Sequence, residues 1–133
     1  MTRRQAREQA FIIIFEKSFN EDMSVEELIE NAVEAETLVP DDFAVKLVNS
    51  VFDNIEKIDN NIEENLKGWT KDRISKVSIA VLRLAIAEML LFDDIPNGVS
   101  INEAVELAKT YAPQGDSSFV NGVLSSVNKK IGE

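Results

Sequence analysis

The segment TRRQAR near the start of the chain sets three guanidinium groups close together, on Arg3, Arg4 and Arg7, in a protein of 133 residues whose formal net charge is −10. A guanidinium keeps its proton at neutral pH, so its chemistry is recognition: paired N–H groups that match a carboxylate or a phosphate. The free backbone N–H groups of a helix start face the same way, and an anion docked there is held by main chain and side chains together. Without an anion the cluster is mildly unfavourable, because positive charge opposes the helix dipole and like charges one turn apart repel. The plainer alternative is a solvated terminus whose charges aid solubility.

Catalytic chemistry is poorly supplied. With no histidine and no cysteine, the usual general base, the soft metal ligands and the sulfur nucleophile are all missing. No glycine-rich phosphate loop and no GxSxG nucleophile turn occurs. The acidic run Asp59 to Glu64 lacks the glycine of a calcium loop, and Thr70 stands where that loop would need its closing glutamate. Neither an enzyme nor a metal or other cofactor is expected.

The placement of charge says more than its total. Residues 16–66 hold 15 acidic and 3 basic residues, whereas residues 67–133 hold 8 of each. An acidic protein repels nucleic acid at long range, so any nucleic-acid site must be local, as the arginine cluster is. The most apolar stretch, Ile79 to Phe92, is interrupted by Arg83 and Glu88 and falls short of the roughly 20 apolar residues a membrane helix needs. The basic start leads into only a short apolar run, Phe11 to Phe15, so a signal peptide is not expected and a cytoplasmic address fits.

Helices must position these groups. Thr2 with Gln5, Ser24 with Glu27 and Ser100 with Glu103 have the spacing in which two side chains satisfy each other's free backbone N–H at a helix start. They predict helices from about Arg3 to Ser18, from Val25 to before Pro40, and from about Ile101 to Tyr111. Asp41 and Asp42 precede a stripe from Val45 to Leu66 at spacings of three and four, with a break expected at Asn60 and Asn61. The segment from Val77 to Phe92 is apolar nearly all round, as the enclosed helix of a bundle is. The turn Ile95 to Gly98 would stop it, and a last helix would run from about Ser118 to Lys130. The expected fold is all-α, about seven helices in two small bundles packed together, with one group over residues 1–67 and the other over 68–133. Arg83 and Glu88 each need a partner inside it, and Glu103 is the expected mate of Arg83.

Two motifs then carry a resemblance. INEAVELAK (Ile101 to Lys109) and FVNGVL (Phe119 to Leu124), with AREQA (Ala6 to Ala10) and DRISKVSIAVLRLAIAEML (Asp72 to Leu90), resemble the NusB family of bacterial transcription antitermination factors. The matches stand in order over nearly the whole chain; residues 19–66 match only in helix pattern. The resemblance implies a protein that does no chemistry. It binds the single-stranded boxA RNA of ribosomal RNA operon leaders together with NusE, a small-subunit ribosomal protein, and joins the RNA polymerase elongation complex. Some family members are homodimers with the RNA surface partly covered. A NusB-like domain of an RNA methyltransferase is disfavoured, since no residues remain for a catalytic domain.

Carried over position by position, the resemblance puts RNA contacts on Arg3, Arg4, Arg7, Phe15, Asp116, Ser118 and Phe119, and a NusE-facing surface around Asp72, Lys76 and Ser78. Asn102, Glu103, Asn121 and Gly122 read as architecture, with Gly122 allowing a close helix contact. Cations for phosphates beside aromatic faces for unpaired bases suit single-stranded RNA. Two positions depart from the pattern: Ser118 stands where relatives often carry Lys or Arg, and Ser78 where many carry an acid. With the acidic middle segment, these imply weak RNA binding alone and firmer binding with NusE. The alternative is a helical interaction adaptor, acting through its acidic surface or as a homodimer, with little RNA affinity.

Overall fold

Each of the first two capping pairs closes as the sequence predicts. Thr2 Oγ1 accepts from the Gln5 backbone N–H and Gln5 reciprocates, opening α1 (Arg3–Lys17). Ser24 and Glu27 do the same for α2 (Val25–Glu34). The computed structural model describes residues 1–39 and 41–131, so Pro40 lies outside the described residues. The remaining helices are α3 (Asp42–Asp53), α4 (Ile55–Glu64), α5 (Lys76–Leu91), α6 (Asn97–Tyr111) and α7 (Asp116–Ile131), with a 3-10 turn at Lys71–Arg73. Among the described residues there are seven α-helices and no strand.

Two boundaries differ most from expectation, each for a local reason. The long stripe breaks at Asn54, not at Asn60 and Asn61: Asn54 leaves helical geometry and its side chain caps back onto the Ser50 carbonyl. Asn61 stays inside α4, its amide bonded to the Lys57 carbonyl one turn back. α6 starts at Asn97, four residues before the predicted start. Pro96, with its ring fixing φ at −59°, opens it, and Ser100 is no cap: it is buried, and its hydroxyl donates to Glu88 at 3.0 Å.

The enclosed helix is α5, which packs against α1, α3, α4, α6 and α7. Its apolar circumference follows from that position, since almost every direction from its axis meets another helix. Val81, Leu82 and Ile86 are fully buried there, and so is Glu88. α6 and α7 cover one side, while α1 and α3 cover the other.

Both charged interruptions of α5 find partners, though that of Arg83 is not the expected one. Arg83 pairs with Asp59 of α4 through two hydrogen bonds of 2.9 Å, and Glu103 is engaged elsewhere. Asp59 also accepts from Lys71 at 3.0 Å, which ties the 3-10 turn to α4 and α5. Burial alone would push the Asp59 carboxyl up, but the hydrogen bonds from Arg83 and Lys71, with their charges, hold it below its ordinary 3.8. A carboxyl with a lowered folded pKa stabilises the fold above its unfolded value and loses that contribution as pH falls through the folded one. We therefore expect wild type to be more stable than Asp59→Asn at neutral pH. The gap should close as the pH is taken below 3.8. Urea unfolding across that range checks it, and a gap independent of pH would remove Asp59 from the acid response.

Candidate nucleic-acid interface

The three arginines of α1 meet different surroundings: Arg3 and Arg4, neighbours in sequence, point about 100° apart, while Arg3 and Arg7, one turn apart, both lie over the Phe43 ring, with Arg7 the deeper of the two. Arg7 shares the inner face with Ala6 and Ala10 and is 5% exposed. Its Nε and Nη2 donate to the two Glu88 oxygens at 2.7 and 2.9 Å, a side-on pair completed by the Ser100 hydroxyl. The expectation that Arg7 joins Arg3 and Arg4 in contacting RNA is corrected: its guanidinium is an internal tie between α1 and α5.

Arg3 and Arg4 remain exposed. The Arg3 guanidinium lies 4.0 Å from the centre of the Phe43 ring on α3, which meets Phe92 edge-on. A cation on a ring face keeps its charge for a further anion. Arg4 turns the other way, to α6, where Nε and Nη2 donate to Glu103 at 3.0 and 3.2 Å. That hydrogen bond first, and the Glu103 charge second, raise the Arg4 pKa further.

Down the same helix runs an aromatic row. Phe15 is half-buried, with its ring centre 6.0 Å from Phe11 and 5.0 Å from the exposed Phe19. Phe11 in turn stands 5.0 Å from Tyr111, the last residue of α6. Burial, then the neighbouring Glu8 carboxylate, pushes the Tyr111 hydroxyl pKa up, so it remains a donor. The row therefore leads from α1 to the loop that enters α7.

That loop turns on Gly115, whose φ of +98° favours glycine. Asp116 opens α7 with its Oδ2 taking hydrogen bonds from Ser75 at 3.0 Å and Ser78 at 2.9 Å. Asp116 is thus half-buried and locks α7 to the start of α5, while Ser118 is exposed. Phe119 lies 5.5 Å, ring centre to ring centre, from Trp69. Trp69 is 54% exposed and follows Gly68 at φ +84°. Beside the pair is a recess of about 280 Å³ that includes Arg73, Gln114 and Gly115 in its wall. Trp69 and Phe43 are not among the site residues expected from the sequence. A lone tryptophan straight after a glycine, between two helical patterns, was the available signal for Trp69, whereas Phe43 has the sequence surroundings of any core aromatic.

The surface expected to face a protein partner is divided. Asp72 and Lys76 are exposed, and Lys76 Nζ sits 4.4 Å from the centre of the Phe19 ring beside a cleft of about 300 Å³. Ser78 is 0% exposed, its hydroxyl spent on Asp116, so it can reach a partner only through the helix start it braces. Of the four positions read as architecture, Glu103 alone makes a tie of that kind. Asn102 and Asn121 are exposed, and a methyl group at Gly122 would meet nothing within 4 Å, so the expected close helix contact is absent there.

An outward cation at the head of α1, aromatics along it and the pair of an exposed Trp69 and a half-buried Phe119 near the start of α7 can hold phosphates and stack unpaired bases. Among the described residues no group of acids could hold a metal, and no helix is long and apolar enough to cross a membrane. Comparison with known proteins gives the family. The NusB family profile matches residues 4–129. The transcription antitermination protein NusB of Listeria monocytogenes is 45% identical over 127 residues, covering 96% of each chain. That of Acetivibrio thermocellus is 48% identical over 131 residues, 97% of this chain and 90% of its own. Among solved structures, T. maritima NusB superposes with a TM-score of 0.86 at 34% identity, over 97% of this chain and 92% of that one. A crystal structure of antitermination factors NusB and NusE in complex with dsRNA gives 0.83 at 32% identity, over 98% and 99%. With a family profile spanning nearly the whole chain and relatives this similar over nine-tenths or more of their lengths, the protein belongs to the NusB family.

Proposed function

We propose that this chain is an RNA-binding transcription antitermination factor. It binds the boxA element of ribosomal RNA operon leaders together with NusE in the cytoplasm, and the pair helps RNA polymerase resist termination. The observation that carries the reading is the pair made by the exposed Trp69 and the half-buried Phe119 near the start of α7, on a chain whose α1 also presents an outward arginine over Phe43. Stacking on such a pair selects unpaired bases, and Arg3 holds the strand by its phosphates. NusE is assigned the exposed Asp72 and Lys76 and the cleft beside them, with Ser78 acting through Asp116. The helices of residues 1–67 and 68–133 act as two subdomains that share α5 as their wall.

A titration of labelled boxA RNA, with and without NusE, tests this. Wild type is expected to bind weakly alone and more tightly with NusE. Arg3→Ala should weaken binding and reduce the salt slope of log affinity by about 0.7, the value for one phosphate contact on a single strand. Equal affinity and slope in the two proteins would remove Arg3 from the RNA surface. A homodimer in solution that ignores RNA would favour the adaptor reading instead.

A further inference from the structure

We propose that Glu103 is an internal competitor for phosphate at Arg4, and so a residue that sets the RNA affinity of the site; the inference rests on the RNA-binding reading above. Arg4 is the most solvent-exposed side chain of any ion pair among the described residues, at 69%, while Glu103 is 20% exposed on a helix packed between α5 and α7. The carboxylate is therefore the fixed partner and the guanidinium the mobile one. Its two oxygens take Nε and Nη2 side-on, the edge and geometry by which an arginine fork grips a phosphate. Glu8 and Glu106 line the same recess of about 100 Å³, and the Glu106 charge also acts on Arg4. A phosphate approaching Arg4 thus meets a neutralised cation ringed by carboxylates.

The contrast with its neighbours is what makes this a device of the site. Arg7 is consumed by Glu88 inside the fold. Arg3 faces an aromatic ring, and among the described residues it forms no ion pair. Of the two outward arginines, one is open and one is closed by an anion built into α6. RNA then gains full benefit from Arg4 only by displacing Glu103, so the affinity of the isolated protein is held down.

The experiment compares wild type, Glu103→Gln, Arg4→Ala and the double variant, all checked for unchanged helix content. Glutamine removes the charge and keeps an acceptor for Arg4. Single-stranded boxA RNA should bind Glu103→Gln roughly threefold more tightly, the scale of an exposed ion pair. The salt slope should steepen by about 0.7 for the phosphate contact regained. In the Arg4→Ala background the glutamine should change neither. Unchanged or weaker binding by Glu103→Gln, in a protein that does bind RNA, would overturn the inference and make Glu103 a support that orients Arg4. A second arm follows the Arg4 Nε–H resonance during titration with inorganic phosphate. It should move in Glu103→Gln and stay still in wild type; movement in both would overturn the masking. If no form binds RNA and that contrast still holds, the RNA reading fails while the competition stands.

Discussion

Replacing Arg7 by alanine should cost this protein about 3–5 kcal/mol of stability, because it leaves the Glu88 carboxylate buried without its cation. The pair is placed where water cannot compensate: the side chains are 6% and 1% exposed, and their bonds are 2.7 and 2.9 Å. Glu88→Ala should cost a similar amount, since it strands the guanidinium and the Ser100 hydroxyl together. A domain at the low end of ordinary stability, about 5 kcal/mol, would be left partly unfolded. The double change to methionine at both positions should recover most of the loss, because an apolar pair of similar volume removes both desolvation penalties at once. Urea unfolding followed by circular dichroism reads all three. Single variants within about 0.5 kcal/mol of wild type, the range of an ordinary surface change, would mean the pair is hydrated and carries little. The result also bears on RNA work. A triple alanine variant that includes Arg7 would confound lost stability with lost RNA contact, so the outward arginines have to be tested without it.

Arg7 illustrates where sequence reasoning succeeds and where it stops. The helix and its cap were legible from Thr2 and Gln5, because capping is decided within four residues. Which of three nearby arginines points inward was not, because it depends on the partner at position 88, 81 residues away. The same limit explains Glu103. Its spacing to Ser100 satisfies the capping pattern, yet Pro96 starts the helix earlier and the two side chains turn to Arg4 and Glu88. Periodicity identified α5 as the enclosed helix, since a segment apolar all round has nowhere else to go. Half of the proposed site was expected through the resemblance alone: nothing in the local pattern separates Phe119 from a core aromatic, and Asp116 proves to be a brace for the start of α5. Trp69 escaped because its exposed position beside Phe119 comes from a loop geometry, set by Gly68 and by Lys71 on Asp59, that no repeat encodes.

That loop carries the other large effect. Trp69→Ala and Phe119→Ala should each weaken single-stranded RNA binding by roughly 1–3 kcal/mol, the worth of one stacked base, or about 5- to 150-fold. Neither change should alter the salt slope, since no phosphate contact is lost. This separates the aromatic pair from Arg3, whose loss is expected to lower the slope. Stability distinguishes the two rings from each other: Trp69 is 54% exposed, so its removal should leave unfolding nearly unchanged, whereas the half-buried Phe119 also packs on the core and should cost measurable stability. The rings touch, at 5.5 Å between centres, so their effects on RNA should not add. If a base is held by the pair as a unit, the double alanine variant should bind little worse than the weaker single one. Fully additive losses would mean that each ring stacks a different base. Binding unchanged in Trp69→Ala would confine the RNA path to the α1 side and leave Trp69 as an exposed residue without a part in it.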